Sequence, residues 1–369
     1  MKNRKWGTAI ASAAGLLVLI LDSRTGLAAA REGITLCIST LIPSMFPFFI
    51  LSMVLTSSLA GQSIKLLVPF CKLCRMPPGA ESLLAIGLLG GYPVGAQNVL
   101  ASCQLGLIPQ DDARRMAVFC NNAGPAFLFG YLGTLFDEPI YPWLIWGIHI
   151  AGALFLGSVL PGGSYAFSDL PASKPLALSQ AFHRSLQVMA QVCGWVILFR
   201  VLLGFLERWF FWMVPENTVI FLSGLLELSN GCMMLSKLSS NGSRMILAST
   251  FLGFGGICVL MQTQSIAGSF KIPMYLPGKA IQGCVSFLLA YFIQFFIPGA
   301  NPVTFSPLIV LSVFLVAAVL MYILRKQEKP VAISRILLYN QASCEKRRTI
   351  CSSGKKSKNP APTAPSAPN

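Results

Sequence analysis

Glu227 is the residue whose type and position most invite chemistry. It stands in the middle of the apolar stretch 218–238, with no Lys or Arg within nine positions. A carboxylate at the centre of a bilayer costs about 2.5–3.5 kcal/mol on insertion scales, so it faces the interior of a bundle and is functional by default. There it could be protonated in place, bind a cation or accept ligand hydroxyls. Ser229, Asn230 and Gly231 follow it after Leu228. Three further polar groups interrupt apolar sequence. Asn121 and Asn122 precede Gly124-Pro125, where the proline breaks a helix and frees carbonyl oxygens. Gln262, Thr263, Gln264 and Ser265 follow Gly253, Gly255 and Gly256. Gln97 and Asn98 follow a turn rich in Gly and Pro, Gly90, Gly91, Pro93 and Gly95. Each has a plainer reading: a shallow helix around Glu227, a proline kink at Pro125, interhelical hydrogen bonds for the amides. His149, on a Gly- and Ala-rich helix, reads as a packed residue rather than a proton relay.

The elements that must hold these residues follow from composition. Of 369 residues, 54% are apolar and 11% charged, against about 25% charged in a soluble domain. A soluble globule, a disordered chain, a coiled coil and a secreted disulfide scaffold are excluded. The apolar stretches are continuous rather than alternating, which excludes an outer-membrane barrel. They predict an all-α polytopic membrane protein with apolar segments near 6–21, 34–60, 83–107, 116–136, 143–160, 186–210, 218–238, 245–268, 280–298 and 304–324. Segments 83–107 and 218–238 carry Gly, Pro or polar residues at mid-length. Each reads as two short arms forming a re-entrant hairpin, a backbone tolerated only inside protein or beside a water-filled cavity.

The net charge of +15 does not signal nucleic acid. The stretch from residue 325 onward holds ten Lys/Arg and two Glu, and most other basic residues fall in short loops, as membrane orientation requires. Both termini are basic and are expected in the cytoplasm. About eight spans plus two hairpins then put Lys65, Lys72, Arg75, Arg114, Arg115, Lys174, Arg184, Lys271 and Lys279 in inner loops. Arg24, Arg31, Arg208, Lys237 and Arg244 fall outside. Ten plain spans are the competing topology. In the first arrangement the hairpins open to opposite sides, an inverted repeat, with a faint echo in Gly87-Leu88-Leu89 and Gly224-Leu225-Leu226, and in Arg115 and Arg244, each nine residues before a glycine. Paired interrupted segments are a sequence pointer to a transporter binding site. The expected divisions are 1–33 (a membrane helix, retained rather than cleaved, and connector), 34–160 (first repeat), 161–185 (cytoplasmic loop), 186–324 (second repeat and final helix) and 325–369 (a basic, Pro/Ala-rich disordered tail whose Lys346–Lys358 stretch suits anionic lipid). Of eleven cysteines only Cys71 and Cys74 are close. They read as two loop cysteines, with too few partners for a structural zinc. No metal or cofactor is expected, and no nucleotide or hydrolase fingerprint is present.

Three strings resemble the YlbJ-type sporulation integral membrane proteins: Pro43-Ser44-Met45-Phe46-Pro47-Phe48-Phe49-Ile50, Gly90-Gly91-Tyr92-Pro93-Val94-Gly95-Ala96, and Asn121-Asn122-Ala123-Gly124-Pro125-Ala126-Phe127-Leu128-Phe129-Gly130, with Ala30-Arg31-Glu32-Gly33 ahead of them. The resemblance is strongest over 28–136 and thinner over 186–300. That family is similar to the nucleoside-recognition, or Gate, domain of concentrative nucleoside transporters and of ferrous-iron transporters. The resemblance implies a two-hairpin inverted-repeat core and a role in endospore formation at the cortex stage, in the cell membrane. It also implies that Glu227 and Asn230 match ligand-holding positions on the second hairpin. On the first hairpin, Gln97 and Asn98 stand where a transporter would carry a carboxylate.

Three functions are therefore weighed. The first is a permease for a small polar solute, nucleoside-like or ionic, bound at the hairpin tips. The second is a non-transporting scaffold of the spore envelope. The third, an intramembrane redox enzyme using Cys71 and Cys74, ranks far behind, and a non-enzymatic protein is expected. Its partners are expected to be the bilayer, a small polar solute or cation, and a second copy or other sporulation membrane proteins, not nucleic acid.

Overall fold

The computed structural model describes residues 2–59, 62–77, 79–162, 176–297 and 302–324. The expected loop 161–185 lies largely, and the tail 325–369 wholly, outside the described residues. Every regular element among them is helical, because in lipid a helix satisfies its own backbone polar groups. Helix α1 spans Lys2–Leu21. Helix α2, Ser23–Leu59, starts at Asp22, whose carboxylate accepts from Thr25 N at 3.3 Å. There follow α3 (Val68–Leu73), α4 (Glu81–Leu89), α5 (Val94–Gln104), α6 (Gln110–Phe119), α7 (Pro125–Gly130) and α8 (Ile140–Val159). The rest are α9 (Leu178–Trp209), α10 (Glu216–Leu226), α11 (Leu228–Met234), α12 (Asn241–Phe254), α13 (Gly256–Ala267), α14 (Tyr275–Ile293) and α15 (Pro307–Leu324).

Six stretches among the described residues are long and apolar enough to cross a membrane: α2, α8, α9, α12 with α13, α14 extended to Phe296, and α15. Large apolar side chains on them, such as Leu51, Leu198, Phe292 and Phe314, are exposed, the outward surface that lipid rather than water would cover. The chain is a multi-pass membrane protein. Within Met1–Tyr322, one compact unit, an order occurs twice: a long helix, two short antiparallel arms, a broken helix and a closing helix. The first set is α2, α4/α5, α6/α7 and α8. The second is α9, α10/α11, α12/α13 and α14. The two long helices α2 and α9 pack on each other, as do α8 and α14.

Segments 83–107 and 218–238 divide where their Gly, Pro and polar residues lie. In the second, the chain reverses at Glu227, and a Cβ on Gly231 would overlap Gly224 Cα of the facing arm. In the first, Gly87 and Gly95, one on each arm, both press on the Cys120 carbonyl. Segment 116–136 is not one continuous helix. Residues Cys120–Gly124 leave the helical path between α6 and α7, since Pro125 cannot continue the donor ladder. Segment 245–268 breaks at Gly255, whose φ of 84° only glycine adopts without strain.

Two basic residues assigned to inner loops from sequence are instead buried. Lys279 lies on α14. Arg115 lies on α6, is 1% exposed, and donates to the carbonyls of Cys74 (2.6 Å), Arg75 (2.7 Å) and Gly157 (3.4 Å). Arg244, at the start of α12, likewise donates to the carbonyls of Leu238 (2.8 Å) and Leu135 (2.9 Å). Each arginine thus ties off chain ends that no helix completes. Arg115→Met should lower stability by about 3 kcal/mol, since it leaves buried carbonyls unpaired. Arg114→Met removes a half-exposed pair with Asp111, a long contact to Gln110 and a stack over the Phe270 ring, and should cost under about 1 kcal/mol. Unfolding midpoints of the two neighbouring variants check this, and equal midpoints would refute it. Cys71 and Cys74, expected in a loop, are buried free thiols on α3 and at its end. Burial pushes Cys71 up to about 12 and Cys74 to about 11, so both are protonated and poor nucleophiles at neutral pH.

Candidate functional site

The four helix interruptions meet. The tip of the first arm pair brings Gly91 against Gly124 in the α6/α7 break, where a Cβ on Gly124 would come 3.0 Å from Gly91 Cα. A Cβ on Gly256, in the α12/α13 break, would come 3.2 Å from Leu228 N at the second tip. Tyr92, on the first tip, crosses to the other half: its hydroxyl donates to Leu252 O at 2.9 Å. Helix ends leave unpaired donors and acceptors, so this junction collects backbone polar groups that side chains must satisfy.

At the second tip Glu227 is 2% exposed. Its carboxylate accepts from Ser229 N (3.0 Å), Asn230 N (2.6 Å) and Asn230 Nδ2 (2.6 Å). It therefore caps α11, at a position where the shorter Ser, Thr, Asp or Asn is preferred. At the α6/α7 break, Asn121 Oδ1 accepts from Ala96 N (3.3 Å) on α5. Its Nδ2 donates to Thr263 Oγ1 (3.1 Å) and to the Tyr275 hydroxyl (2.7 Å). Asn122 Nδ2 donates to Gly87 O (3.0 Å) and Phe119 O (2.7 Å), while Gln282 Nε2 donates to Asn122 Oδ1 (3.1 Å). His149 Nε2 accepts from Ala123 N at 3.0 Å in the same break. It is a packed residue, and its Nδ1 has no hydrogen-bond partner among the described residues.

The structure brings together Glu227, Ser229, Asn230 and Gly231 at one tip, and Asn121, Asn122, Gly124 and Pro125 beside Gly90, Gly91, Pro93 and Gly95 at the other. Gln262 is buried and, with Glu227, lines a small cavity between the tips. Gln264 is exposed and donates to Gly268 O (3.0 Å) at the end of its own helix. Gln97 and Asn98 lie half-buried on α5, where Asn98 Nδ2 donates to Val94 O (2.9 Å) of the preceding turn. They do not join the cluster. Sequence reading missed Tyr92, Tyr275, Lys279 and Gln282. The signal available was a period of about 3.6 residues placing Tyr275, Lys279 and Gln282 on one helix face.

A cavity of about 30 Å³ lies between the tips, lined by Tyr92, Gly124, Glu227, Ser229 and Gln262 among others. A water needs roughly 10–15 Å³ of such space, so this volume suits water or one small ion and not a nucleoside. A second cavity of about 270 Å³ lies behind Asn230 and is bordered by Arg200, Glu207 and Lys237. Arg200 there bridges Glu32 (2.5 Å) and Glu207 (3.0 Å). Glu227 lines the first space and its hydrogen-bond partner Asn230 lines the second.

Fold and site together define a multi-pass helical membrane protein whose broken helices enclose a buried polar centre. The chain is similar to the sporulation integral membrane protein YlbJ of Bacillus subtilis (strain 168), being 26% identical to it over 307 residues, 69% of this chain and 74% of the other. No protein-family model and no solved structure matches the chain.

Proposed function

We propose that this is an endospore-forming cell's membrane permease for a small polar solute or ion, acting at the cortex stage through a site at the two hairpin tips. Eight spans, two re-entrant hairpins in an inverted, Gate-like repeat, and cytoplasmic termini complete this reading. The sporulation role rests on the relative's name. The transport role rests on one observation: four helix breaks converge on a buried centre that holds the Glu227 carboxylate. Irregular backbone at membrane depth is tolerated where it is buried in protein or lines a water-filled cavity, and the hydrogen-bonded Glu227 and Asn230 each line a cavity. The cavity between the tips accepts a cation or waters as it stands. A larger solute requires the tips to part.

The size of that cavity favours a second reading, a membrane scaffold of the spore envelope that keeps the fold without cargo. A thermal-shift screen of purified protein against small cations, nucleosides and cell-wall precursors distinguishes the two, because a ligand that binds only the folded state raises its midpoint. Permease action predicts a ligand that shifts wild type and shifts Glu227→Gln at least about tenfold less sensitively in concentration. It also predicts loss of heat-resistant spores in cells carrying Glu227→Gln. Normal spore yield from a stably inserted Glu227→Gln protein would rule out the site.

A further inference from the structure

Lys279 is the feature that no part of the proposed function uses. It sits on α14, 1% exposed, and its ammonium faces the α6/α7 break. It donates to the Asn121 carbonyl, to Gln282 Oε1 at 2.8 Å, to Asn122 Oδ1 at 3.4 Å and to the Tyr92 hydroxyl oxygen at 3.5 Å. The Tyr92 ring lies 5.2 Å away, offering its face. None of the ion pairs among the described residues includes Lys279. Its charge is therefore held by dipoles alone.

Those dipoles are fixed in advance. Asn122 cannot turn its amide, because Nδ2 already donates to two carbonyls. Gln282 is oriented by its Nε2 donating to Asn122 Oδ1. The Tyr92 proton is directed to Leu252 O, so only lone pairs point at Lys279. Every atom around Nζ is thus an acceptor. A neutral amine would turn a lone pair toward one of them, whereas an ammonium directs three protons into this set of acceptors. Oxygen cages of carbonyls and amides are how proteins replace the hydration shell of a monovalent cation.

We propose that Tyr92, Asn121, Asn122 and Gln282 form a monovalent-cation site that Lys279 fills as a resident, tethered ammonium, excluding free Na⁺ or K⁺. The site locks the α6/α7 break to α14 and to the first hairpin tip without any ion from solution. Any movement of solute past the second tip is then uncoupled from a cation bound here. This inference does not depend on the permease reading, since a scaffold would use the same lock.

The test is the thermal midpoint of the purified full-length chain in KCl, NaCl or N-methylglucamine chloride at matched ionic strength, with ethylammonium as an added probe. Wild type should melt alike in all three salts. Lys279→Ala should melt roughly 5 °C or more lower in N-methylglucamine, and K⁺ or ethylammonium should recover at least half of that loss saturably. Lys279→Met, whose thioether chain fills the same space without charge, should melt lower and gain nothing from either ion. A saturable K⁺ or Na⁺ effect on wild type would overturn the proposal. So would Lys279→Met melting with wild type, or failure of both cations to recover folded Lys279→Ala protein. A result in which only the Glu227 variants lose ligand response bears on the permease reading and leaves this one standing.

Discussion

Gly231→Ala is expected to leave little folded protein, with a loss of about 3 kcal/mol or more. The added methyl would overlap Gly224 Cα, lie 2.6 Å from Gly224 N and lie 3.3 Å from the Ser223 carbonyl carbon. These are backbone atoms of the facing arm, so no side-chain rotation relieves the overlap. Gly224 cannot retreat, because its other side meets the Phe251 ring of α12. Overpacking in a close-packed interior typically costs 1–3 kcal/mol, and more where nothing yields. The cost falls on the hairpin itself: the arms would splay and Glu227 would leave its donors. Gly147→Ala is the control. A Cβ there meets nothing within 4 Å, so stability should stay within about 1 kcal/mol of wild type. Detergent-solubilised midpoints, or the yield of monodisperse protein, measure both. Equal behaviour of the two variants would mean that the arms are not apposed.

Glu227→Ala carries the second large effect. Three buried donors point at this carboxyl group, and each buried donor left unsatisfied costs about 1–3 kcal/mol. Losing all three should cost about 4 kcal/mol, allowing for partial re-pairing. Glu227→Gln should cost about half as much. Its remaining oxygen still accepts, while its NH2 confronts a donor. The ordering separates structure from function. If Gln is tolerated in folding yet spores fail, the charge is needed for more than capping. If Ala and Gln are equally stable, the carboxylate does not hold the tip, and the geometry assigned to it is wrong.

The interruptions themselves were legible in the sequence because their causes are local. Gly90, Gly91 and Pro93 deprive a helix of donors and rigidity wherever they stand. Pro125 must end α6 for the same reason, and Glu227 is too costly in lipid to sit elsewhere than inside. Gln264 shows the limit of such reading. It stands two residues from Gln262, so on a helix of 3.6 residues per turn it points the opposite way. Which of the two faces inward depends on the neighbour that α13 packs against. Arg115 and Lys279 were misplaced because charge near a segment end is ordinarily a loop signal. Only contact with Cys74, Arg75 and Asn121, each distant in sequence, makes their burial affordable.

By itself the sequence determined that this chain is helical, lives in a bilayer and is broken at particular residues, since hydropathy and backbone sterics act over a few residues at a time. Tertiary structure alone decided that the four breaks face one another, that Glu227 binds its own hairpin, and that an ammonium rather than a carboxylate completes the other tip. Those facts depend on groups far apart along the chain, and their energies exist only once the helices have packed.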